Sequence, residues 1–136
     1  FSDNYVNFGV MKNYLLICII LLSCTPQEFL VSSSYQHWVG GRKETGSGTN
    51  YTFTLVAPER HTNFKINGIY AHNTVLRFNV NPQEFEKSDT LKINAYKSKE
   101  KQQTDSIEAI INYQLFDKNH SLPIQKMTEL DKLYYP

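Results

Sequence analysis

Alternation of apolar and polar side chains is the feature that most restricts how this chain can fold. Between residues 50 and 57 an apolar side chain stands at every second position, at Tyr51, Phe53, Leu55 and Ala57. Side chains two residues apart face the same side of a β-strand, whereas one face of a helix needs a spacing of three or four. The pattern predicts a strand with these four side chains on its buried face.

The same alternation recurs in three later segments, 64–70, 76–80 and 90–96. Only His72-Asn73 and their neighbours separate the first two segments. Asn tolerates the positive φ of a tight turn, so we expect these two segments to form a hairpin.

The remainder of the chain adds shorter or less regular elements. Residues 106–116 place isoleucines at helical spacing, but their β-branched and aromatic content favours a strand. A turn is predicted at 117–120 and a returning strand at 122–125, whereas 127–135 suits either a short helical turn or an edge strand. Six or seven strands separated by turns predict an all-β fold, a single antiparallel β-sandwich over residues 35–136, with an immunoglobulin-like arrangement as the leading candidate.

Length, composition and charge agree with one β-rich domain. A chain of 136 residues holds one domain of ordinary size, and its 8 Phe and 9 Tyr are enough to fill a core. The net charge is +1 and the cationic side chains form no run that could follow a phosphate backbone. We therefore expect no nucleic-acid partner.

Ahead of the domain, residues 11–23 have the organisation of a bacterial export signal. Lys12 precedes the apolar run 14–22, and the small residue Ser23 follows it. The run is shorter than the roughly 20 apolar residues that a bilayer-spanning helix needs. We interpret residues 11–23 as a signal peptide and residues 1–10, which precede Met11, as an upstream extension of the reading frame without functional meaning.

The end of this segment, Leu21-Leu22-Ser23-Cys24, resembles the lipobox of bacterial lipoproteins. The resemblance implies cleavage between Ser23 and Cys24 and a diacylglycerol on the Cys24 thiol. Residues 24–34 would then be the lipidated cysteine and a flexible, serine-containing tether. The implied location is the outer membrane, facing the periplasm, with display at the cell surface as the alternative.

Several short motifs of the domain are similar to a family of small uncharacterised bacterial envelope lipoproteins. They are Gln36–Gly41, Gly46–Tyr51, Asp89–Leu91 and Tyr134–Pro136. The resemblance covers nearly the whole exported chain. It implies the architecture described above and brings no catalytic residue with it.

Trp38, the only tryptophan, is the most distinctive candidate for ligand binding. With Arg42 and Tyr51 it could form an aromatic and basic surface for a sugar or a peptide. The favoured interpretation instead places Trp38 in the core, beneath the glycine-rich loop 41–48. This loop imitates the glycine spacing of a phosphate-binding loop but lacks its Lys-Ser/Thr ending and precedes a strand, so we expect no phosphate cradle.

Two tripeptides resemble the Asp-Ser/Thr-aliphatic signal for protein O-glycosylation in some Gram-negative envelopes. They make Thr90 and Ser106 candidate glycosylation sites, although Asp followed by Ser or Thr is also ordinary turn chemistry.

The sequence predicts no catalytic residue, cofactor or metal ligand set. Its four histidines are scattered without a paired spacing. We therefore expect a non-enzymatic envelope protein, held at the membrane by its lipid, that is structural or binds an envelope protein or a glycan. The alternative is a hydrolase or metal-dependent module in which the fold brings together His61, His72 and carboxylates.

Overall fold

The computed structural model describes residues 29–42, 44, 46–72, 74–98 and 109–136. These residues form an all-β fold of two sheets, and no helix occurs among them. In chain order the strands are β1 (Leu30–Gly40), β2 (Ser47–Val56), β3 (Phe64–Ala71), β4 (Thr74–Val75), β5 (Arg77–Asn81), β6 (Thr90–Ser98), β7 (Ala109–Leu115), β8 (Lys118–Ile124) and β9 (Thr128–Tyr135). One sheet has the order β5-β6-β2-β1-β9, and the other has the order β4-β3-β7-β8.

Both sheets contribute side chains to one hydrophobic core, an arrangement consistent with a β-sandwich. Tyr51, Phe53 and Leu55 are fully buried, which confirms the face predicted for β2. The four-stranded sheet supplies Ile69 and Ile111, which are equally inaccessible. Because the inner positions of strands from both sheets belong to a single cluster, burial of this shared face is the main source of stability.

The hairpin expected around His72 is only partly correct. β3 and the two-residue β4 pair antiparallel through Tyr70 and Val75. After the buried Leu76, the chain leaves this sheet, and β5 pairs with β6 in the other sheet. Residues 76–80 therefore do not return along β3. The division of this region is one reason why the described residues form nine strands instead of the predicted six or seven.

The C-terminal strand corrects the expectation of a purely antiparallel sandwich. β9 is an edge strand that runs parallel to β1, from the pair Ser34 and Thr128 to the pair Gly40 and Tyr135. The register shifts between Gln36 and Trp38, which marks a bulge. The five-stranded sheet is therefore mixed, and the alternative left open for residues 127–135 is settled in favour of a strand.

The turn between β7 and β8 is tighter than predicted. Only Phe116 and Asp117 connect the strands, and both have positive φ, at 48° and 63°. Positive φ at both central residues is typical of a type I′ hairpin turn. The turn predicted at 117–120 is therefore wrong at its C-terminal side, where residues 118–120 already belong to β8.

The domain begins earlier than residue 35. β1 starts at Leu30, and the ring of the preceding Phe29 packs edge-to-face against Tyr113 at 5.3 Å. The Val56 amide donates a hydrogen bond to the Phe29 carbonyl oxygen at 2.8 Å. Residues 29–34 are therefore part of the folded domain and not of a flexible tether, because their backbone and one aromatic ring are held by the core.

The remaining N-terminal assignments lie outside the described residues. They are the extension 1–10, the signal peptide 11–23 and the lipidation site Cys24. Within the described ranges, no helix is long and apolar enough to cross a membrane.

Candidate ligand surface

Trp38 lies on the outer face of the five-stranded sheet. Tyr35, three residues before Trp38 in β1, points into the core together with its cross-strand partner Tyr51. Trp38 pairs with Gly48, three positions away on both strands, and therefore faces the opposite side. The side chain is half-buried and does not belong to the core cluster. The favoured interpretation of Trp38 as a core residue is therefore wrong.

The indole ring of Trp38 is held from two directions. A Cβ atom added to Gly48 would lie 2.8 Å from the ring atoms Cε2 and Cζ2, so the ring covers this glycine closely. The ring of Tyr135 meets Trp38 edge-to-face, with centroids 6.0 Å apart and planes at 74°. Gly48 is favoured here because an added Cβ would meet both the indole and the Lys97 carbonyl oxygen, the latter at 2.6 Å.

Tyr96 completes an aromatic pocket on this face. It lies in β6 opposite Asn50, two strands away from Trp38. The pocket has a volume of about 230 Å³ and is lined by Trp38, Asn50, Tyr96, Lys97 and Tyr135. Tyr96 and Tyr135 each expose 49% of their surface. The structure therefore brings together two exposed phenol rings and one supported indole ring.

The two predicted partners of Trp38, Arg42 and Tyr51, do not line this pocket. Tyr51 is fully buried, and its hydroxyl is hydrogen-bonded to Nδ1 of His72 at 2.7 Å, so it cannot contribute to an outer surface. The physical reason is parity, because Tyr51 shares its face of β2 with Phe53. Arg42 is exposed in the bend after β1 but does not line the pocket.

Sequence reasoning missed Tyr96, Tyr135 and Asn50 as members of the surface. Tyr96 ends an alternating segment whose buried positions are Leu91, Ile93 and Ala95, so its parity already indicates an outward side chain. No local signal could place Tyr135 beside Trp38, because β1 and β9 are neighbours in the sheet but far apart in the sequence.

The rest of the outer face is polar. Cross-strand pairing gives β1, β2, β5 and β6 a common set of outward positions. Those with amide or hydroxyl groups include Ser34, Gln36, Asn50, Thr52, Thr54, Asn79, Asn81 and Asn94. Arg77, opposite Tyr96, and Lys92, opposite Asn81, carry positive charge. None of the outward positions that are described in these four strands is Asp or Glu.

Behind this surface, a polar cluster fills the same end of the core. His37 Nδ1 and Thr49 Oγ1 are 2.8 Å apart, and the rings of Tyr35 and His37 meet edge-to-face. Burial raises the pKa of the Tyr35 phenol, and a hydrogen bond to Glu129 and the negative charge of that carboxylate raise it further. In the described part of the chain, every buried side-chain nitrogen or oxygen has a hydrogen-bond partner. The cluster therefore contributes to folding without an unsatisfied polar atom.

The fold does not bring together the residues of the metal-dependent alternative. His61 precedes β3, where its Nδ1 lies 3.2 Å from the Phe85 carbonyl oxygen, whereas His72 follows β3 and contacts Tyr51. The eight residues of β3 separate the two by about 26 Å. Among the described residues, no group of three His, Cys, Asp or Glu side chains could hold a metal ion.

A larger cleft of about 460 Å³ opens between β3 and β5, beside Phe64, Phe78 and Phe85. The rings of Phe64 and Phe85 pack against each other with centroids 6.2 Å apart, so the aromatic wall of this cleft is the rim of the core. Its aromatic side chains are occupied in packing within the core, whereas Tyr96 and Tyr135 each expose 49% of their surface.

The structure describes only one of the two candidate glycosylation sites, Thr90. Thr90 is exposed at the first position of β6, and the Asp89 carboxylate before it accepts a hydrogen bond from the Glu86 amide at 2.9 Å. This hydrogen bond is the turn chemistry that is common where Asp precedes Ser or Thr, which was the alternative interpretation of this tripeptide. Ser106 lies outside the described residues.

Comparison of the chain with protein-family models, with curated proteins and with solved structures finds no significant match.

Proposed function

We propose that this chain is a lipid-anchored protein of the bacterial envelope, and that its domain is a non-enzymatic binding module with an immunoglobulin-like sandwich. The observation that carries the proposal is the sequence Leu21-Leu22-Ser23-Cys24 at the end of the apolar run 14–22, with Cys24 six residues before β1 begins at Leu30. A signal of this kind delivers one lipidated cysteine to the start of an exported domain.

The position of β1 supports a role in presenting a surface away from the membrane. Cys24 and Phe29 are five residues apart, a separation of at most about 18 Å. The Phe29 end of the sandwich would therefore stay near the lipid surface. β1 has 11 residues and extends about 36 Å from that end. Trp38 lies near the far end of the strand, on the side of the domain that a partner in the envelope can reach.

The anchor itself would be stable. A diacylglycerol together with an N-acyl chain exceeds the two lipid signals that stable membrane attachment requires, at about 0.8 kcal/mol per buried methylene. An acidic residue directly after the lipidated cysteine would favour a different destination in the envelope. The residue after Cys24 is Thr25, which supports a location at the outer membrane, facing the periplasm. Surface display is the alternative.

Thr90 is a candidate for O-glycosylation. The intact mass of the native protein tests this, because a mass that is accounted for by lipid alone excludes a glycan.

The lipid anchor is tested by replacing each cysteine in turn. Cys24→Ala removes the only thiol at the proposed cleavage site, so we expect an unprocessed precursor without lipid. Cys18→Ala is the matched control, because Cys18 lies inside the apolar run and would be removed with the signal. The measurement is labelling of cells with a fatty-acid precursor, followed by intact mass. Lipid labelling that persists in Cys24→Ala would contradict the proposal.

A further inference from the structure

We propose that the outer face of the five-stranded sheet binds an acidic polysaccharide, with sugar rings stacked on Trp38, Tyr96 and Tyr135. This inference deepens the proposed binding role and rests on it. We call this face the aromatic platform and define it by these three rings and the outward polar side chains around them.

Two of the three aromatic rings, Tyr96 and Tyr135, offer exposed surface on which a sugar can stack. The C–H groups of a pyranose ring are weakly positive and pack against the negative face of an aromatic ring. Trp38 is fixed over Gly48 and against Tyr135, so its ring does not need to be ordered when a ligand binds. Tyr96 lies two strands from Trp38, a lateral separation of about 10 Å. A chain of two or three linked sugars spans such a separation, whereas a single sugar fits the 230 Å³ pocket between the rings.

The polar side chains around the rings match the hydroxyl groups of a sugar. Asn50 lines the pocket, and Asn94 and Asn79 lie opposite each other on β6 and β5 of the same face. Each amide offers both donors and an acceptor, which is the complement of a hydroxyl group. Gln36 is already oriented, because its Nε2 donates a hydrogen bond to the Asp131 carbonyl oxygen at 2.7 Å.

The charge of the platform favours an acidic ligand over a neutral one. Arg77 lies directly opposite Tyr96, and Lys92 follows on the same face of β6. The outward positions that the structure describes in β1, β2, β5 and β6 include neither Asp nor Glu. The acidic residues of this sheet are Glu129 and Asp131 in the edge strand β9, where Glu129 is hydrogen-bonded to Tyr35 and Asp131 lies beside Gln36. An exposed guanidinium can bind a carboxylate through two parallel hydrogen bonds. A chain of uronic acids supplies a carboxylate on each ring and so fits both the stacking rings and the cations.

The test measures binding of the full chain, in detergent, to polygalacturonate, with dextran as the uncharged polysaccharide. Trp38 is the only tryptophan, so its fluorescence reports events at the platform directly. We expect polygalacturonate to change this fluorescence and to bind more weakly at higher salt concentration. Dextran should bind at least tenfold more weakly than polygalacturonate.

Matched variants on the two sheets decide whether the platform is responsible. Tyr96→Ala should weaken binding about tenfold. Tyr70→Ala should leave binding unchanged, because Tyr70 has similar exposure but lies on the outer face of the other sheet. Arg77→Gln should weaken binding about threefold and reduce its dependence on salt, whereas Lys65→Gln on the other sheet should not. Thermal unfolding of each variant confirms that it is folded.

Three results would overturn the inference. They are an absence of polygalacturonate binding, equal effects of Tyr96→Ala and Tyr70→Ala, and tighter binding to dextran than to polygalacturonate. Each is distinguishable from failure of the lipid anchor, because intact mass of the same preparation shows whether Cys24 carries lipid. A lipidated protein that ignores polygalacturonate refutes the ligand alone, whereas an unlipidated protein that binds it refutes the anchor alone.

Discussion

Replacing Gly48 by Ala tests the packing on which the aromatic platform depends. An added Cβ would lie 2.6 Å from the Lys97 carbonyl oxygen and 2.8 Å from two atoms of the Trp38 ring. The ring can pivot, but the carbonyl belongs to the backbone of β6, so the β2–β6 pairing itself must shift. We expect Gly48→Ala to destabilise the domain even though alanine is the better residue for an ordinary strand.

The magnitude follows from two opposing terms. Forcing an extra methyl group into a packed site costs about 1–3 kcal/mol. Alanine also restricts the unfolded chain, which returns about 0.4–1 kcal/mol. The net expectation is a loss of about 1–2 kcal/mol in the free energy of unfolding, or about 4–10 °C in the melting temperature of a domain of this size. Emission from Trp38 should also move to longer wavelength in the folded variant, because the displaced indole is more exposed to water.

The measurement is thermal and urea unfolding followed by Trp38 fluorescence and by circular dichroism. Gly68→Ala is the matched control, because Gly68 also lies in a strand and the nearest atom to an added Cβ is 3.5 Å away, an ordinary contact. The control should be neutral or slightly stabilising. If Gly48→Ala melts at or above the temperature of the parent chain, the close contact between β2, β6 and the indole does not exist in solution, and the argument for a fixed platform fails with it.

Two further predictions concern the interior. Phe53→Ala should lower the free energy of unfolding by about 3–5 kcal/mol, because the ring is fully buried and leaves a cavity, whereas Tyr134→Ala, at a ring that is 74% exposed, should change it by less than about 0.5 kcal/mol in urea unfolding. Burial and Glu129 raise the pKa of Tyr35 above its ordinary value of 10.0, so the neutral phenol contributes stability below about pH 10 that is lost as pH rises through the raised pKa. Tyr35→Phe should therefore reduce the loss of stability as the pH rises above the ordinary tyrosine pKa of 10.0 in urea titrations, although part of the loss should remain because burial also raises the pKa of Tyr113. An unchanged pH dependence in Tyr35→Phe would contradict this assignment.

Local patterns predicted much of the β-structure. The alternation that places Tyr51, Phe53 and Leu55 on one face is confirmed, because side chains two residues apart must share a face of any strand. Within the segment 106–116, residues Ala109–Leu115 form β7, as the β-branched content indicates, and Phe116 belongs to the following turn. The two-residue turn at Phe116 and Asp117 was misplaced because neither residue is the Asn or Gly that usually marks a turn with positive φ.

Trp38 shows where local patterns stop being informative. The segment from Ser32 to Val39 has no clear alternation of apolar and polar residues, so its parity could not be assigned from sequence. Burial of Tyr35 against Tyr51 fixes that parity, and it turns Trp38 outward. The candidate ligand surface therefore keeps Trp38 but exchanges Tyr51 for Tyr96 and Tyr135, which reach it from β6 and β9.

By itself the sequence determined that the chain is β-rich and which residues share a face of each alternating strand, and it is the whole basis for the proposed anchor at Cys24. These properties depend on neighbours within a few residues. Only the tertiary structure decided that β5 crosses to the other sheet, that β9 runs parallel to β1 and that Tyr135 meets Trp38. Strand pairing is set by burial and by hydrogen bonds between distant segments, and no local pattern encodes which two edges will meet.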